Sequence, residues 1–541
     1  EEARRLLEQL RSSNSIPPNE PPLIVGSLEF YPYSEEYLRD QGVPIETESD
    51  RKVLKLIRPV KEFALNPVPS PKEIQKVFPA LKDLYKTLLL AKANRVNPKV
   101  AELAWNYLAA SCACIAGISE LPRLPEIGNF VYEVLLEASD HPIPKHEPEK
   151  ENFFDEHPNI GSLAPRLTAA YGLMFLSRIR KYATPKLLDT IKRLSKDSVP
   201  AVRFQIASNL YRLFDTARDF MWKLIEHIAA EEKSYGVLWG LLAGPLLRLS
   251  WVEPERVAKL TKAIFDRVED NKHGSKSVRE VCIQIFTNLY VWQNQPLSRE
   301  KVYSIISSPF EHSDEAQTVL TNLRTALTYK INDIFDTEAA FVRQRARNLL
   351  QHLFQSAWHK LKEIERRYAD LPPTKWPQQL QDKTRSLMGL VEGAVREVYF
   401  ASGAHDAKEQ GQVKTQPSRA ERIKFYNEFS ELLDEFAETG LPNIIHYLVE
   451  TLEFFIPINR RDVFLKIARA VKAGEREGYQ YEPLAVDLIV KIISRYLADY
   501  RNLLQKDAEC QRALIDILDI FVKAGWPKAW RVAYRLEEIF R

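Results

Sequence analysis

Glycine is scarce in this sequence. The 541 residues include only 18 glycines, less than half of the usual share of about 7%. Nucleotide-binding α/β domains need glycine-rich loops, because the backbone must approach the phosphates closely. The composition therefore argues against such domains. No stretch has the form Gly-x-x-x-x-Gly-Lys-Ser/Thr either, so we predict that the chain does not hydrolyse nucleoside triphosphates.

The sequence also has few cysteines, and they lack the spacing of a zinc site. The cysteines Cys112, Cys114, Cys282 and Cys510 are too few and too scattered for a disulfide framework, which favours a reducing, cytoplasmic location. Cys112 and Cys114 have the wrong spacing for zinc and lie in an apolar segment, so we interpret them as buried packing thiols. A Ser, His, Asp triad stays open, because its members need not be adjacent in sequence. We predict no cofactor, no metal and no catalytic residue, and expect that the chain is not an enzyme.

An excess of one charge and long apolar runs are missing as well. The 76 Lys and Arg residues nearly balance the 73 Asp and Glu residues, which leaves a net charge of +3. A chain of this size then lacks the strong field of a dedicated nucleic-acid binder, so any basic surface must be local. No run approaches the roughly 18 apolar residues of a membrane span. Since 45% of the residues are hydrophobic, the chain can bury a large core, and we expect a soluble protein.

Helical periodicity dominates from about residue 70 onwards. Ser70 and Pro71 suit the cap and the first position of a helix, and apolar residues from Val77 to Leu89 follow at spacings of three and four. The breaks between such segments are short and rich in Pro, Asn and Asp, while strand signals are almost absent. The sequence therefore predicts an all-α protein.

Composition changes divide the chain into four segments. They are an N-terminal helix with a proline-rich linker at 1–70, a long helical series at 71–400, an exposed loop at 401–419, and a second helical part with a terminal cap at 420–541. The polar, proline-broken stretch from His141 to His157 is predicted to be another exposed loop. Gly474 and Gly525 end two similar phrases, which indicates either a shared helix stop or repeat kinship.

One phrase within the long helical series recurs. Its first copy contains Asp197, Pro200, Val202 and Arg203, and looser copies that keep Val-Arg follow at Val278 and Val342. The copies are separated by about two helical hairpins of the class with roughly 33 to 47 residues per repeat. The phrase resembles the turn and second-helix start of a HEAT repeat. This resemblance implies an α-solenoid, a superhelical stack of antiparallel helix pairs, over about 160–360. It also implies that Asp197 and Arg203 join a ladder between neighbouring repeats.

Two basic clusters are the best candidates for recognition. The first cluster contains Arg178, Arg180, Lys181, Lys186, Lys192, Arg193 and Lys196. The second cluster contains Arg343, Arg345 and Arg347. Such clusters can neutralise phosphates, and binding would then weaken steeply with salt. They can equally form solvated helix faces or line the ladder of a solenoid, so both interpretations stay open.

The function that these observations predict is that of a non-catalytic scaffold or sensor. A stack of helix pairs presents a long curved face, on which we expect the chain to bind another macromolecule, above all a protein. A second hypothesis is a solenoid arm of a larger prokaryotic NTPase or nuclease of antiviral defence, whose sensor arms this chain loosely resembles. The sequence starts at Glu1 without Met, which fits a piece whose catalytic part lies outside it. A third hypothesis is nucleic-acid binding through the first basic cluster, from Arg178 to Lys196.

Overall fold

The computed structural model describes a protein built from helices. The described residues are 38, 43, 45, 66, 93 and 525 together with 47–64, 69–91, 95–158, 164–328, 339–408, 417–476 and 486–523. No strand occurs among them, and the all-α prediction is thereby confirmed. The helix and proline-rich linker predicted near the start of the chain, and the predicted terminal cap, lie outside the described residues.

The chain forms two compact units, Glu1–Ile285 and Phe286–Arg541. The α-helices that begin in the first unit are α1 Glu48–Ala64, α2 Pro71–Leu89, α3 Pro98–Gly117, α4 Pro125–Ala138, α5 Glu151–Glu156, α6 Pro165–Ser177, α7 Pro185–Leu194, α8 Pro200–Ala207, α9 Arg218–Glu231, α10 Tyr235–Leu241, α11 Leu247–Leu249, α12 Pro254–Arg267 and α13 Ser275–Gln293. Short 3₁₀-helices lie at Leu121–Arg123, Pro148–Lys150 and Leu210–Leu213, and a π-helical turn lies at Leu242–Leu246.

The second unit contains longer helices. They are α14 Pro296–Ile306, α15 Ser313–Leu327, α16 Ala339–Arg367, α17 Gln378–Ala401, α18 Ala404–Lys408, α19 Arg419–Ala437, α20 Pro442–Phe455, α21 Arg460–Arg476, α22 Val486–Asp499, α23 Arg501–Lys506 and α24 Ala508–Lys523. A 3₁₀-helix at Pro373–Lys375 separates α16 from α17.

Proline sets the start of many of these helices. Pro71, Pro98, Pro165 and Pro200 each occupy the first turn, where the missing N–H costs no hydrogen bond and the fixed φ already suits a helix. Before α2, the Ser70 hydroxyl accepts the N–H of the third helical residue, whose side chain accepts the N–H of Ser70 in return. The proline-rich composition therefore punctuates this helical chain.

Alternate helices of the first unit contact one another in a row. Helix α1 packs on α3, α3 on α6, α6 on α8 and α8 on α10. Helices α2, α4 and α7 each pack on the two members of this row that adjoin them in sequence, and α9 packs on α10. Because α3 has neighbours on most sides, it is buried almost continuously from Val100 to Ala116. We expected no span-length apolar segment, yet α3 is long and apolar enough to cross a membrane, and 78% of that window is buried within the protein.

The second unit, taken by itself, has two rows of alternate helices. Helices α15, α17, α20 and α22 pack in succession, and so do α19, α21 and α24. Helix α16 extends the latter row, because the Phe354 ring meets the Phe436 ring of α19 edge-on, with centroids 4.8 Å apart. The side chains of Phe354 and Phe436 are almost fully buried. Aromatic packing thus holds the long helices of this unit.

Two predicted boundaries differ from the compact units. Segment 401–419 begins with the last residue of α17 and contains the helical turn α18, while 409–416 lies outside the described residues. Helix α17, before this segment, packs on α20, after it. Both helices belong to the same compact unit, so no division between units falls between them. Segment 1–70 contains α1, which packs in the row of the first unit. The two compact units are divided between Ile285 and Phe286, within α13.

Candidate functional site

The recurring phrase lies in the turn between α7 and α8. The Oδ1 atom of Asp197 accepts the N–H of Val199 at 2.9 Å, one residue before α8 begins at Pro200. Asp197 therefore orders the turn and does not cap the N–H groups of the helix itself. Val202, two residues into α8, is fully buried, as expected for a residue of the seam between helices.

Two ion pairs extend from this turn to the adjacent helices. The Nε atom of Arg166, at the start of α6, lies 2.9 Å from Oδ2 of Asp197. Arg203 binds both carboxylate oxygens of Glu232, which follows α9, at 2.8 and 2.9 Å. Arg203 also donates to the backbone carbonyl of Asp197 at 2.7 Å. All four side chains are mostly shielded from solvent, so this ladder segment ties α6, the turn and the end of α9 together.

A polar pocket of about 270 Å³ opens beside the ladder segment. It is lined by Ser195, Lys196, Asp197, Arg203, His227, Ile228, Glu231, Glu232 and Lys233. The Ser195 hydroxyl donates to the carbonyl of Lys192 at 2.8 Å and not to His227, so no base activates it. Lys196, His227, Glu231 and Lys233 are exposed at the surface. The lining presents charges of both signs that suit recognition of a polar surface.

Two arginines of the first basic cluster hold helix ends. The Nη2 atom of Arg178 donates to the carbonyls of Gly117 and Ile118, at 2.6 and 2.9 Å, where α3 ends. Arg193 donates to the Ser139 hydroxyl at 2.9 Å, next to the end of α4. The last carbonyls of a helix lack partners within it and carry partial negative charge, so a guanidinium satisfies both needs. Burial lowers the pKa of Arg178, but its ordinary value is high enough to keep it charged.

The second basic cluster is also engaged by contacts within the protein. Arg343 is only 2% exposed and binds both carboxylate oxygens of Glu428 at 2.6 and 3.1 Å. Arg347 donates to the backbone carbonyl of Glu428, and Arg345 to that of Val291, each at 2.7 Å. A phosphate at these three arginines would have to displace these bonds.

The remaining members of the first cluster face solvent. Lys181 donates to Asn129 at 2.9 Å. Arg180, Lys186, Lys192 and Lys196 are exposed, and no ion pair joins them to any residue that the structure describes. These four side chains, which we name the basic stripe, keep the prediction of a phosphate-binding surface open. Lys196 also lies on the pocket lining, so the stripe reaches the pocket.

The cysteines are buried thiols. All four are free, and each lies in the core. Burial raises the pKa of Cys114 to about 12 and that of Cys112 further, so neither ionises at neutral pH and neither is a nucleophile. This burial confirms the interpretation of these residues as packing thiols.

Sequence reasoning missed the partners of the predicted residues. Arg166 and Glu232 lie 31 and 29 residues away from Asp197 and Arg203. An acid at the end of an amphipathic helix looks like any other surface acid, so Glu232 gave no signal. The stretch from His141 to His157 is mostly exposed, as predicted, but it is not a loop throughout. It contains a 3₁₀-helix and α5, which packs on α8 and α10.

Comparison with known proteins adds little to this geometry. No family model matches the chain, and no curated protein matches it. The solved structures that match include the crystal structure of an engineered protein, at 13% identity over 88% of this chain and 99% of that chain. Its TM-score is 0.23, a likeness too weak to carry an argument about fold or function.

Proposed function

We propose that this chain is a non-catalytic, HEAT-like helical-repeat protein that binds another protein on the surface of its helix rows. The observation that carries the proposal is the ladder segment, in which Arg166 pairs with Asp197 and Arg203 with Glu232. The HEAT resemblance implies such pairs between neighbouring repeats. The rows of alternate helices support the same interpretation, because helix pairs that stack in succession give rows of this kind.

The polar pocket beside the ladder segment is the contact that we assign to the partner. Its exposed charges of both signs favour a partner surface with complementary charges, and charge complementarity contributes specificity as well as association rate. Arg203 and Asp197 hold the pocket wall in place through their own ion pairs, so the lining is preorganised for binding.

An affinity capture with charge-reversal variants tests this function. The wild-type chain should retain a specific protein from an extract of its source cells, and Lys196→Glu with Lys233→Glu should reduce that retention at least tenfold. The matched control is Lys72→Glu with Lys76→Glu, two exposed lysines of α2 outside the pocket lining. Retention of no specific protein by the wild type would contradict the function. Equal retention by both double variants would contradict the assigned contact.

Nucleic-acid binding is the second candidate, and the basic stripe favours it. Four exposed cations in one segment can each neutralise a phosphate. If all four do so on duplex DNA, affinity should fall about 100-fold between about 50 and 200 mM salt. Fluorescence anisotropy with a labelled duplex measures this slope. Replacing Arg180, Lys186, Lys192 and Lys196 by Ser should abolish the slope, and binding without salt dependence would exclude this candidate.

A further inference from the structure

A short segment of the first unit packs on helices that come much later in the sequence. Residues 148–157, which we name the strap, include the 3₁₀-helix Pro148–Lys150 and helix α5. The strap follows α4 in sequence but packs on α8 and α10. None of its residues is fully buried, and the ring of Phe153 is 52% exposed. Local contacts with a surface groove therefore hold the strap.

Asp155 is the polar anchor of the strap. Its Oδ1 atom accepts the hydroxyl of Ser234 at 2.5 Å and the N–H of Gly236 at 3.0 Å. Partial burial raises the pKa of Asp155, whereas these hydrogen bonds act in the opposite direction. The groove thus supplies two donors that match one carboxylate.

Phe154 is the apolar anchor. Its ring meets the ring of Phe204 edge-on, with centroids 6.0 Å apart. A Cβ atom at Gly236 would lie 2.8 Å from Cε1 of Phe154, so only glycine admits the ring at this distance. At Gly274, where φ is +76°, a Cβ atom would lie 2.3 Å from the carbonyl oxygen of Asp155. In a chain with few glycines, two of them therefore shape the groove around this pair of residues.

Charge complementarity extends beyond the two anchors. The Oε1 atom of Glu156 lies 2.6 Å from Nδ1 of His273 at the end of the groove. The strap and the residue before it carry the acids Glu147, Glu149, Glu151, Asp155 and Glu156 against a single lysine, Lys150. The groove thus receives a short helical segment that combines an aromatic ring with acidic side chains.

We propose that the groove formed by Phe204, Ser234, Gly236 and Gly274 is a docking site for a partner segment with a Phe-Asp pair, and that the strap occupies it in cis. The proposal refines the proposed protein-binding function and rests on it. A six-residue helix is too short to be stable by itself, so the strap keeps its helix only while it is docked. Segments with few buried contacts open more readily than the core. Partner binding then requires release of the strap, which makes the strap an autoinhibitory contact.

Peptide binding with a released strap tests the proposal. The probe is a fluorescent synthetic peptide with the sequence of residues 147–158. Replacing Phe154 and Asp155 together by Ala in the full chain removes both anchors, and this variant should bind the probe at least tenfold more tightly than the wild type. The factor follows because a strap docked in about nine of ten molecules lowers the apparent affinity about tenfold. The matched control is Phe153→Ala, which removes an exposed ring of the same helix and should bind like the wild type.

Hydrogen exchange on the same proteins shows whether the strap opens by itself. The amides of 151–156 should exchange faster than those of α8 and α10 in the wild type, and the double variant should keep the protection of both helices. The proposal is overturned if the double variant binds the probe no better than the wild type. It is also overturned if the strap exchanges together with α8 and α10, because the strap would then be a fixed part of the fold. If the probe does not bind while the wild type still retains a protein from extract, only the strap proposal fails.

Discussion

Two ionic contacts, one in each unit, join neighbouring helices in different ways. In the first unit, Arg203 lies at the start of a helix and binds the carboxylate of Glu232, which ends another helix. In the second unit, Lys466 lies within α21, is only 1% exposed, and pairs with Asp434 of α19 and with Asp462 of its own helix. The first contact fixes turns at the edge of a row, whereas the second fixes the middle of two packed helices.

The comparison shows how the cost of desolvation is met at each of these two contacts. The planar guanidinium of Arg203 donates two bonds to one carboxylate and a third to the Asp197 carbonyl, so little of its charge lacks a partner. The ammonium of Lys466 donates to Oδ2 of Asp434 and to the carbonyl of Ser430 at 3.1 Å, and Oδ2 of Asp462 lies 3.5 Å from it as a second ionic partner. Lys466 is therefore tolerated in the core only while all of these acceptors are present.

The largest expected effect is on the seam beside the ladder segment. Val202→Asp places a carboxylate at a fully buried site without a cation, so we expect a loss of at least about 4 kcal/mol in the free energy of unfolding. Thermal or urea unfolding measures this loss. Val202→Ile keeps the apolar contact and serves as the control. A stability within about 1 kcal/mol of the wild type for Val202→Asp would contradict the placement of Val202 in the seam.

The next effect concerns Lys466. Lys466→Met keeps the apolar stem but leaves Asp434 and Asp462 without their buried cation, and we expect a loss of about 2 kcal/mol. The full penalty of a broken buried pair is larger, but both carboxylates are about one third exposed and Arg469 still pairs with Asp434. Arg469→Met, at a more exposed position, should cost less. If Lys466→Met were as stable as the wild type, Lys466 would not need its acceptors, and the contrast with the Arg203 contact would disappear.

A smaller effect separates the two roles of Asp197. Asp197→Ala removes the acceptor for the Val199 N–H and the partner of Arg166, so we expect a loss of about 0.5 to 1.5 kcal/mol, the net contribution of a hydrogen bond. Asp197→Asn keeps the acceptor and removes the charge, so the difference between the variants measures the ion pair. Unfolding and partner retention should be measured together. Loss of retention with unchanged melting would show that Asp197 belongs to a binding site and is not structural.

Short-range patterns in the sequence were sufficient for some elements. Ser70 and Pro71 lie within the first turn of the helix that they start, so local chemistry determines that boundary. The ladder residues Asp197 and Arg203 were likewise visible, because they lie only six residues apart in one phrase. Their partners Arg166 and Glu232 were not, because the fold brings them close across about 30 residues.

Tertiary packing overrides local signals elsewhere. A shared helix stop was one of the two interpretations of Gly474 and Gly525. Gly525 has φ of +72°, as a left-handed cap requires, whereas Gly474 lies inside α21. Lys472 pairs with Asp516 of α24 at 3.0 Å, and this contact supports α21 close to the glycine. The helix of the strap was missed for the same reason. A proline-broken acidic stretch is typical of a solvated loop, and nothing in the sequence indicates that Phe154 packs on Phe204.

The smallest expected effect concerns a third ionic contact, at the start of α24. Unlike the contacts of Arg203 and Lys466, this one is largely exposed to solvent. Arg461 binds Asp507 at 2.7 Å and Glu509 next to it, and the N–H groups of Glu509 and Cys510 also donate to Asp507. The guanidinium and these N–H groups lower the pKa of Asp507 from 3.8 to about 2.

A group whose pKa is lower in the folded state stabilises the fold above its unfolded pKa, and this stabilisation fades as the pH falls through the folded value. The contribution of Asp507 should therefore be complete above about pH 4 and lost towards about pH 2. Urea unfolding of the wild type and Asp507→Asn at about pH 6, 4 and 2 measures it. The stability gap between the two proteins should shrink with acid, and about 0.5 M NaCl should reduce it at pH 6, because exposed ion pairs are screened. The pair of Arg203 with Glu232 is mostly buried, so the corresponding gap for Glu232→Gln should respond less to salt. An equal salt response at both sites would remove the distinction between buried and exposed contacts.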